Sequence, residues 1–393
     1  MLRATLIAAL ILTGTTACSR GAANTRATAD TVYVGVAAAR PNAAYFNGVQ
    51  LALDRLNADR QPGTPPLGLR LPPDSQPSQV EVAARFRDDR RVIGVVGHTG
   101  SAQTMDAAPI YGDVANGGAN GIVAITPTST NPQVTRVSSW VFRVCPTDDD
   151  AARALARFAL DSLSARRVAI VYRNDLFGRG FTRTIAPVLV QGGAGIIERD
   201  PYLAGMTEYQ AYARRIARSG TDAIVFAGGG VDAADLVRAL DEAGSHPALL
   251  GSDDVANVLE GVRRVAVPVR TRGRGAGADS VVYTDDRALF RGVRFTAFYD
   301  PGRARSDEEK YFAAEYRRRY GERPSHQAAL SYDAAMLIGR AFYAVGRDRR
   351  LIRDWIANVG RGAPAQQGIT GEIRFDEHGD ALDKPVLIGS IQP

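Results

Sequence analysis

Two stretches of the 393-residue chain end an apolar run in a burst of small hydroxyl residues. Val92-Ile93-Gly94-Val95-Val96 breaks into Gly97-His98-Thr99-Gly100-Ser101, and Ile122-Val123-Ala124-Ile125 breaks into Thr126-Pro127-Thr128-Ser129-Thr130-Asn131-Pro132. Hydroxyls beside the unpaired N–H groups of a following helix start suit a small anion such as a carboxylate. That is the chemistry of holding a ligand, not of cutting one. A second candidate, Gly228-Gly229-Gly230-Val231-Asp232-Ala233, follows an apolar run, opens a helical pattern and fits G-x-G-x-x-A, with Asp253 placed where a ribose-binding acid belongs. It falls in mid-chain, and no Ser-His-Asp, Cys-His or metal constellation accompanies it. His98, His246, His326 and His378 are far apart without paired-ligand spacing, so neither a metal nor a cofactor is expected.

The elements that must position these loops alternate along the chain. Short apolar runs followed by helical periods imply parallel strands covered on both faces, with ligands at the carboxyl ends of the strands. Val32–Ala37 is the first such run, and the helix behind it sets Phe46, Val49, Leu53 and Leu56 on one face. A helix over 151–164 does likewise with Leu155, Phe158, Ala159 and Leu163. Further strands are predicted at 168–172, Ala223–Ala227 and Ala248–Gly251, separated by helices near 179–191, 207–219 and 232–243. Cys145-Pro146-Thr147-Asp148-Asp149-Asp150 closes one unit and starts the next helix with acids at its positive end. The Arg- and Gly-rich segment 263–274 reads as part of a hairpin, with 265–269 and 280–283 flanking Arg272-Gly273-Arg274-Gly275.

Composition is that of a globular protein, 45% hydrophobic and 23% charged, and long enough for two cores. The formal charge of +6 comes from arginines dispersed among Asp and Glu, which argues against a nucleic-acid stripe. The front of the chain has the layout of an export signal, Arg3 followed by the apolar run 4–12 and by Thr13-Gly14-Thr15-Thr16-Ala17-Cys18. It is too short for a comfortable membrane span. Residues 18–30 read as a flexible tether. Only Cys145 accompanies Cys18, so no internal disulfide framework is expected.

Several islands in fixed order resemble one family: 92–101 with Ala108-Pro109-Ile110-Tyr111, Ile125-Thr126-Pro127 with Thr130-Asn131-Pro132, Phe142-Arg143-Val144, and 168–180 with its Phe177-Gly178-Arg179-Gly180. They continue through 222–228, Gly251-Ser252-Asp253, Leu330-Ser331-Tyr332-Asp333-Ala334 and Gly371-Glu372-Ile373-Arg374-Phe375-Asp376. In these the sequence resembles the branched-chain amino-acid binding family of ABC importers, the type I periplasmic binding proteins. The resemblance implies an α/β fold of two lobes, each a mostly parallel sheet flanked by helices, joined by three crossovers. These are placed near residues 147, 298 and 362, giving one lobe of 31–147 plus 299–361 and another of 148–298 plus 362–393. Cys18 after a small residue resembles the lipobox of bacterial lipoproteins, although Thr15 stands where that motif carries Leu. Cys18 is therefore expected to carry the lipid, against the alternative of an ordinary secretory signal.

The resemblance also implies a site. Ser101 matches the loop Ser that holds a ligand α-carboxylate, Thr128 and Thr130 match the second loop, Asp253 matches the acid for the α-ammonium, and Phe177 matches an aromatic covering the ligand. A zwitterion leaving water needs donors at one end and a charged acceptor at the other. Tyr45 reads as a cleft-edge residue or half-buried packing, and Gln327 as a polar replacement for a further aromatic. Each has a plainer alternative: Ser101 and Thr130 as helix caps and turn formers, Phe177 as core, although Gly178 and Gly180 beside it favour a loop tip, and Asp253 as cap of a helix over 254–260. Departures from the pattern are Gly229 in place of a second aromatic, Gly100 in place of a cysteine, a short loop over 37–44, and Asp253 where Glu is usual. The expectation is thus a monomeric, lipid-anchored extracytoplasmic protein. It would bind an amino-acid-like ligand for an ABC permease, with a sensor on the same fold or a dinucleotide enzyme as alternatives.

Overall fold

The computed structural model describes residues 31–38, 43–72, 78–269, 280–304 and 306–392. Cys18, the export signal, the tether and the hairpin tip 272–275 lie outside the described residues, as does part of the loop 37–44. The first unit runs β1 (Val32–Ala37), α1 (Ala43–Ala58), β2 (Leu67–Arg70), α2 (Gln79–Asp88), β3 (Val92–Gly97), α3 (Ser101–Tyr111), β4 (Val123–Thr126) and β5 (Val141–Arg143). Its strands form an all-parallel sheet in the order β2-β1-β3-β4-β5. β3 and β4 are buried at every position, the state for which unbroken apolar runs are suited.

The second unit runs α4 (Asp148–Arg157), β6 (Arg167–Arg173), α5 (Leu176–Gln191), β7 (Gly195–Tyr202), α6 (Gln210–Ser219), β8 (Ala223–Ala227), α7 (Gly230–Glu242), β9 (Ala248–Gly251), β10 (Arg264–Val269), β11 (Ser280–Asp285) and β12 (Arg294–Ala297). β10 and β11 pair as an antiparallel hairpin. The chain then returns to the first unit with α8 (Asp307–Tyr320), α9 (His326–Val345), α10 (Arg349–Ala357), β13 (Gln366–Gly368) and β14 (Gly371–Ile373), and ends in β15 (Leu387–Ser390). The second sheet has the order β15-β12-β9-β8-β6-β7, parallel except for β15.

Local chemistry sets the helix ends. Ser78 with Glu81, and Thr147 with Asp150, form reciprocal capping boxes at α2 and α4. Acids fill the first turn of α8 and arginines its last, in accord with the helix dipole. The predicted helix over 151–164 is α-helical only to Arg157 and continues as a π turn, Phe158–Ser162. α9 is apolar nearly all round and is buried against α1 and the first sheet. A Cβ on Gly48 of α1 would lie 2.1 Å from the Ala328 carbonyl oxygen, so only glycine allows this crossing. It brings Tyr45 to the start of α9.

Two chain crossings lie between Arg143 and α4, which packs on α5, and between β12 and α8, which packs on α1. The third lies later than the expected residue 362. The Phe375 N–H donates to the Val359 carbonyl, and Asp333 of α9 accepts the N–H groups of Ile369 and Thr370 at 2.8 and 3.0 Å. The Arg143 N–H donates to the Gly379 carbonyl and the Ala381 N–H to the Arg143 carbonyl. These bonds keep 363–381 with the first sheet, and the chain passes to the second between Ala381 and Leu387.

Candidate binding site between the two lobes

Both hydroxyl loops leave the carboxyl ends of parallel strands, β3 and β4, and face the carboxyl ends of β6 and β9 across a cleft. Tyr45, Thr99, Gly100, Ser101, Thr128, Thr130, His326 and Gln327 line one wall, and Arg173, Phe177, Asp253 and Asp254 the other. All seven residues anticipated for ligand contact therefore line one cavity of about 80 Å³.

The hydroxyls have different duties. Thr128 gives its proton to the Thr99 carbonyl at 2.9 Å, so Tyr45 must be the donor in the 2.9 Å bond between the Tyr45 and Thr128 oxygens. Ser101 Oγ instead accepts the Asn131 N–H at 3.2 Å and keeps its own proton to offer. Ser101 is the first residue of α3 and not its cap, which is Gly100 without a side-chain bond. The first N–H groups of α3 have no acceptor within the helix. The Thr130 carbonyl takes the Asp148 N–H at 2.7 Å, joining the second loop to α4. Tyr45 is buried and its hydroxyl shifted far above the usual phenol range by that burial, so it stays a neutral donor.

On the opposite wall Ser252, not Asp253, stands at the N-cap of the 3-10 turn Asp253–Gly261, so Asp253 is not its cap. Phe177 lies in the first turn of α5 and not on the loop tip that Gly178 and Gly180 favour in the sequence. Asp175 caps that helix by accepting the Gly178 N–H at 2.8 Å. A Cβ on Gly178 would meet the Arg173 carbonyl oxygen at 2.1 Å, which explains the glycine by the close strand-to-helix turn. The glycines of the G-x-G-x-x-A match have a similar cause. A Cβ on Gly228 would meet the Tyr202 hydroxyl and one on Gly230 the backbone of Asn257, while the Tyr202 hydroxyl takes the Gly229 N–H and donates to Asp232. Packing within the second lobe thus accounts for a pattern that otherwise suggests a phosphate.

Residues 33–392 match the model of a family described as periplasmic binding protein. The chain belongs to that family. It is 30% identical to an amino acid binding protein of Pseudomonas aeruginosa over 71% of this chain and 75% of that one. With the leucine-specific-binding protein of Salmonella typhimurium it shares 26% identity over 54% of this chain, spanning about half (56%) of that relative. The substrate binding protein LivJ of Streptococcus pneumoniae, solved in complex with isoleucine, superposes with a TM-score of 0.76 at 20% identity, over 92% of this chain and 96% of that one.

In this periplasmic binding protein two carboxyl groups, Asp253 and Asp254, share the far wall of the cleft with Arg173. Asp253 is 8% exposed, and burial, reinforced by Asp254 and Asp148, raises its carboxyl well above the ordinary range. Burial also pushes Asp148 up to about 7. His326 Nε2 lies 3.9 Å from Asp253 Oδ2, but burial pulls His326 down to about 4, leaving it neutral near pH 7. Arg173 lies 5.9 Å from the centre of the Phe177 ring and donates from Nε to Asp175 at 2.5 Å. Arg173, Asp254 and His326 were not anticipated from the sequence as cleft residues. His326 sits one residue after a helix cap, Ser325, which is the only local signal that could have drawn attention to it.

Proposed function

We propose that this protein is an extracytoplasmic receptor that holds an amino acid, or a related small amide or carboxylate, between its lobes and delivers it to an ABC permease. The observation that carries this reading is the division of the cleft: neutral donors from Ser101 and α3 on one wall, the carboxylate of Asp253 on the other. Such a pair satisfies both ends of a zwitterion, and burial of either end without a partner would be prohibitive. The amino acid bound by the pneumococcal neighbour and the name of the Pseudomonas relative support the same ligand class. Ser101, Thr130 and the α3 N–H groups take the carboxylate, Asp253 the ammonium, and Phe177 and Gln327 flank the ligand. Tyr45 and Thr128 hold the two hydroxyl loops together. The protein works as a monomer, exported and anchored through lipid on Cys18, with neither cofactor nor metal.

The cavity of about 80 Å³ is smaller than the ~150 Å³ that accommodates benzene in an engineered protein core. Ligand must therefore enter through an opened form, and closure about the three crossings follows binding. Mass spectrometry of small molecules released from purified protein, followed by calorimetry against the twenty amino acids and their amides, tests the assignment. One tightly bound amino acid or amide is expected, with a smaller radius of gyration in solution scattering when it is added. No retained molecule and no heat with any of the panel would remove the reading.

A further inference from the structure

The end of the first lobe opposite the cleft carries a second cavity, of about 320 Å³, bounded by Arg90, Arg347, Arg349, Arg350, Trp140 and Asn120. Its only carboxylate, Asp348, is occupied in capping α10 through the N–H groups of Arg350 and Leu351 at 2.9 and 3.0 Å. Beyond the cavity, Asp88 and Asp89 are matched by Arg87 at 2.9 Å and by Arg70 at 3.1 Å. Arg349 is the fixed member, donating to the carbonyls of Arg87, Asp89 and Val92 at 2.6 Å each. Arg90 and Arg350 are exposed. Two large apolar side chains stand exposed beside them, Val114 on the loop that contributes Gly118 to the cavity, and Leu351 next to Arg350.

Where the chain enters the described structure decides what such a face meets. Val92 is the strand partner of Tyr33, the second residue of β1, so Arg349 is bonded one strand, about 4.8 Å, from the start of the first lobe. β1 therefore starts at this face. From Cys18 to Val32 the chain reaches at most about 50 Å even when fully extended. Basic side chains mixed with exposed apolar ones, beside a short link to a lipid, suit a membrane boundary.

We propose that this face docks on an anionic phospholipid surface, the exposed Arg90 and Arg350 taking headgroup phosphates while Val114 and Leu351 touch the acyl boundary. The proposal rests on the reading of Cys18 as the lipid attachment site, which mass spectrometry of the same preparation checks separately. The test is hydrogen exchange of the mature protein on phosphatidylglycerol and on phosphatidylcholine vesicles. Segments 112–121 and 347–353 should be protected on the anionic vesicles alone, and the protection should weaken as salt is raised. Arg90→Ala combined with Arg350→Ala should lower the docked-to-free ratio about thirty-fold, as the loss of two surface cations implies. Ligand affinity should not change, since neither residue is near the cleft. Equal protection on both vesicle types, an unaffected double variant, or the same protection from inorganic phosphate alone would each overturn the proposal, the last by showing a free-anion site.

Discussion

Arg143 and Asp380, 237 positions apart, form a buried ion pair that ties the end of β5 to the segment leading into β15. Arg143 has no exposed surface, and its Nη1 donates to the carbonyls of Ser129 and Asn131 at 3.1 and 2.7 Å. Asp380 also accepts the Thr135 hydroxyl at 2.7 Å. One guanidinium thus fixes the second hydroxyl loop and the last crossing together. Asp380→Ala leaves that guanidinium buried without its partner and should cost about 3–5 kcal/mol of stability. Denaturant unfolding measures it, and a loss under about 1 kcal/mol would contradict the structural role.

The two ends of the proposed ligand should respond unequally. Asp253→Ala strands an ammonium inside the closed cleft and should weaken binding by roughly 2–5 kcal/mol. Ser101→Ala removes one neutral donor while the α3 N–H groups remain, and should weaken it by roughly 1–3 kcal/mol. Calorimetry with the identified ligand gives the order directly, and normal binding by the Asp253 variant would assign the ammonium elsewhere.

Tyr45 and Thr128 should behave as positioning residues. Tyr45→Phe removes one donor to Thr128 and should reduce affinity by about 0.5–1.5 kcal/mol, while Thr128→Val removes both the acceptor for Tyr45 and the donor to Thr99 and should reduce it more. The reverse order in calorimetry would mean that the Tyr45 hydroxyl itself meets the ligand.

Acidity should favour the unliganded fold through Asp148. Its folded pKa of about 7 exceeds the ordinary carboxylate value of 3.8, so between those values the folded state binds a proton that the unfolded state has released. The contribution is complete below the lower value and lost as pH rises toward about 7. Asp148→Asn should therefore gain stability relative to the natural protein as pH is raised across that window, read from paired thermal melts. A ligand ammonium beside Asp253 offsets the burial, and the lesser repulsion from Asp254 and Asp148, that raise its carboxyl, so binding should release protons. Calorimetry in buffers of different ionisation heat counts them, and net proton uptake would exclude an ammonium at Asp253.

Cys18→Ala should leave an unprocessed or soluble form that no longer partitions into detergent. One acyl chain anchors marginally and several anchor stably. Unchanged partition would end the lipid-anchor reading.

The strands were legible because their burial is two-sided: Ile122-Val123-Ala124-Ile125 has no exposed side chain, and an unbroken apolar run is the only pattern that fits. The hydroxyl loops were legible for the converse reason, since a polar burst directly after such a run falls at the strand's open end. The far wall was only half legible. Phe177 and Asp253 stood in recognisable islands, whereas Arg173 and Asp254 look like ordinary charged residues until the second sheet carries them to the cleft. The third crossing was misplaced because the bonds that hold 363–381 run to Asp333 and Arg143, partners too distant for any local pattern to reveal.

The embrace of α1 by α9 sets an order of events in biogenesis. Gly48 and Ala328 touch across most of the chain's length, so the first lobe's interior stays open until the last quarter of the polypeptide is available. Closing so long a loop before its contacts form makes folding slow and non-local. The interleaving that joins the two lobes thus also postpones completion of the first lobe's core until a segment more than two hundred residues downstream is in hand.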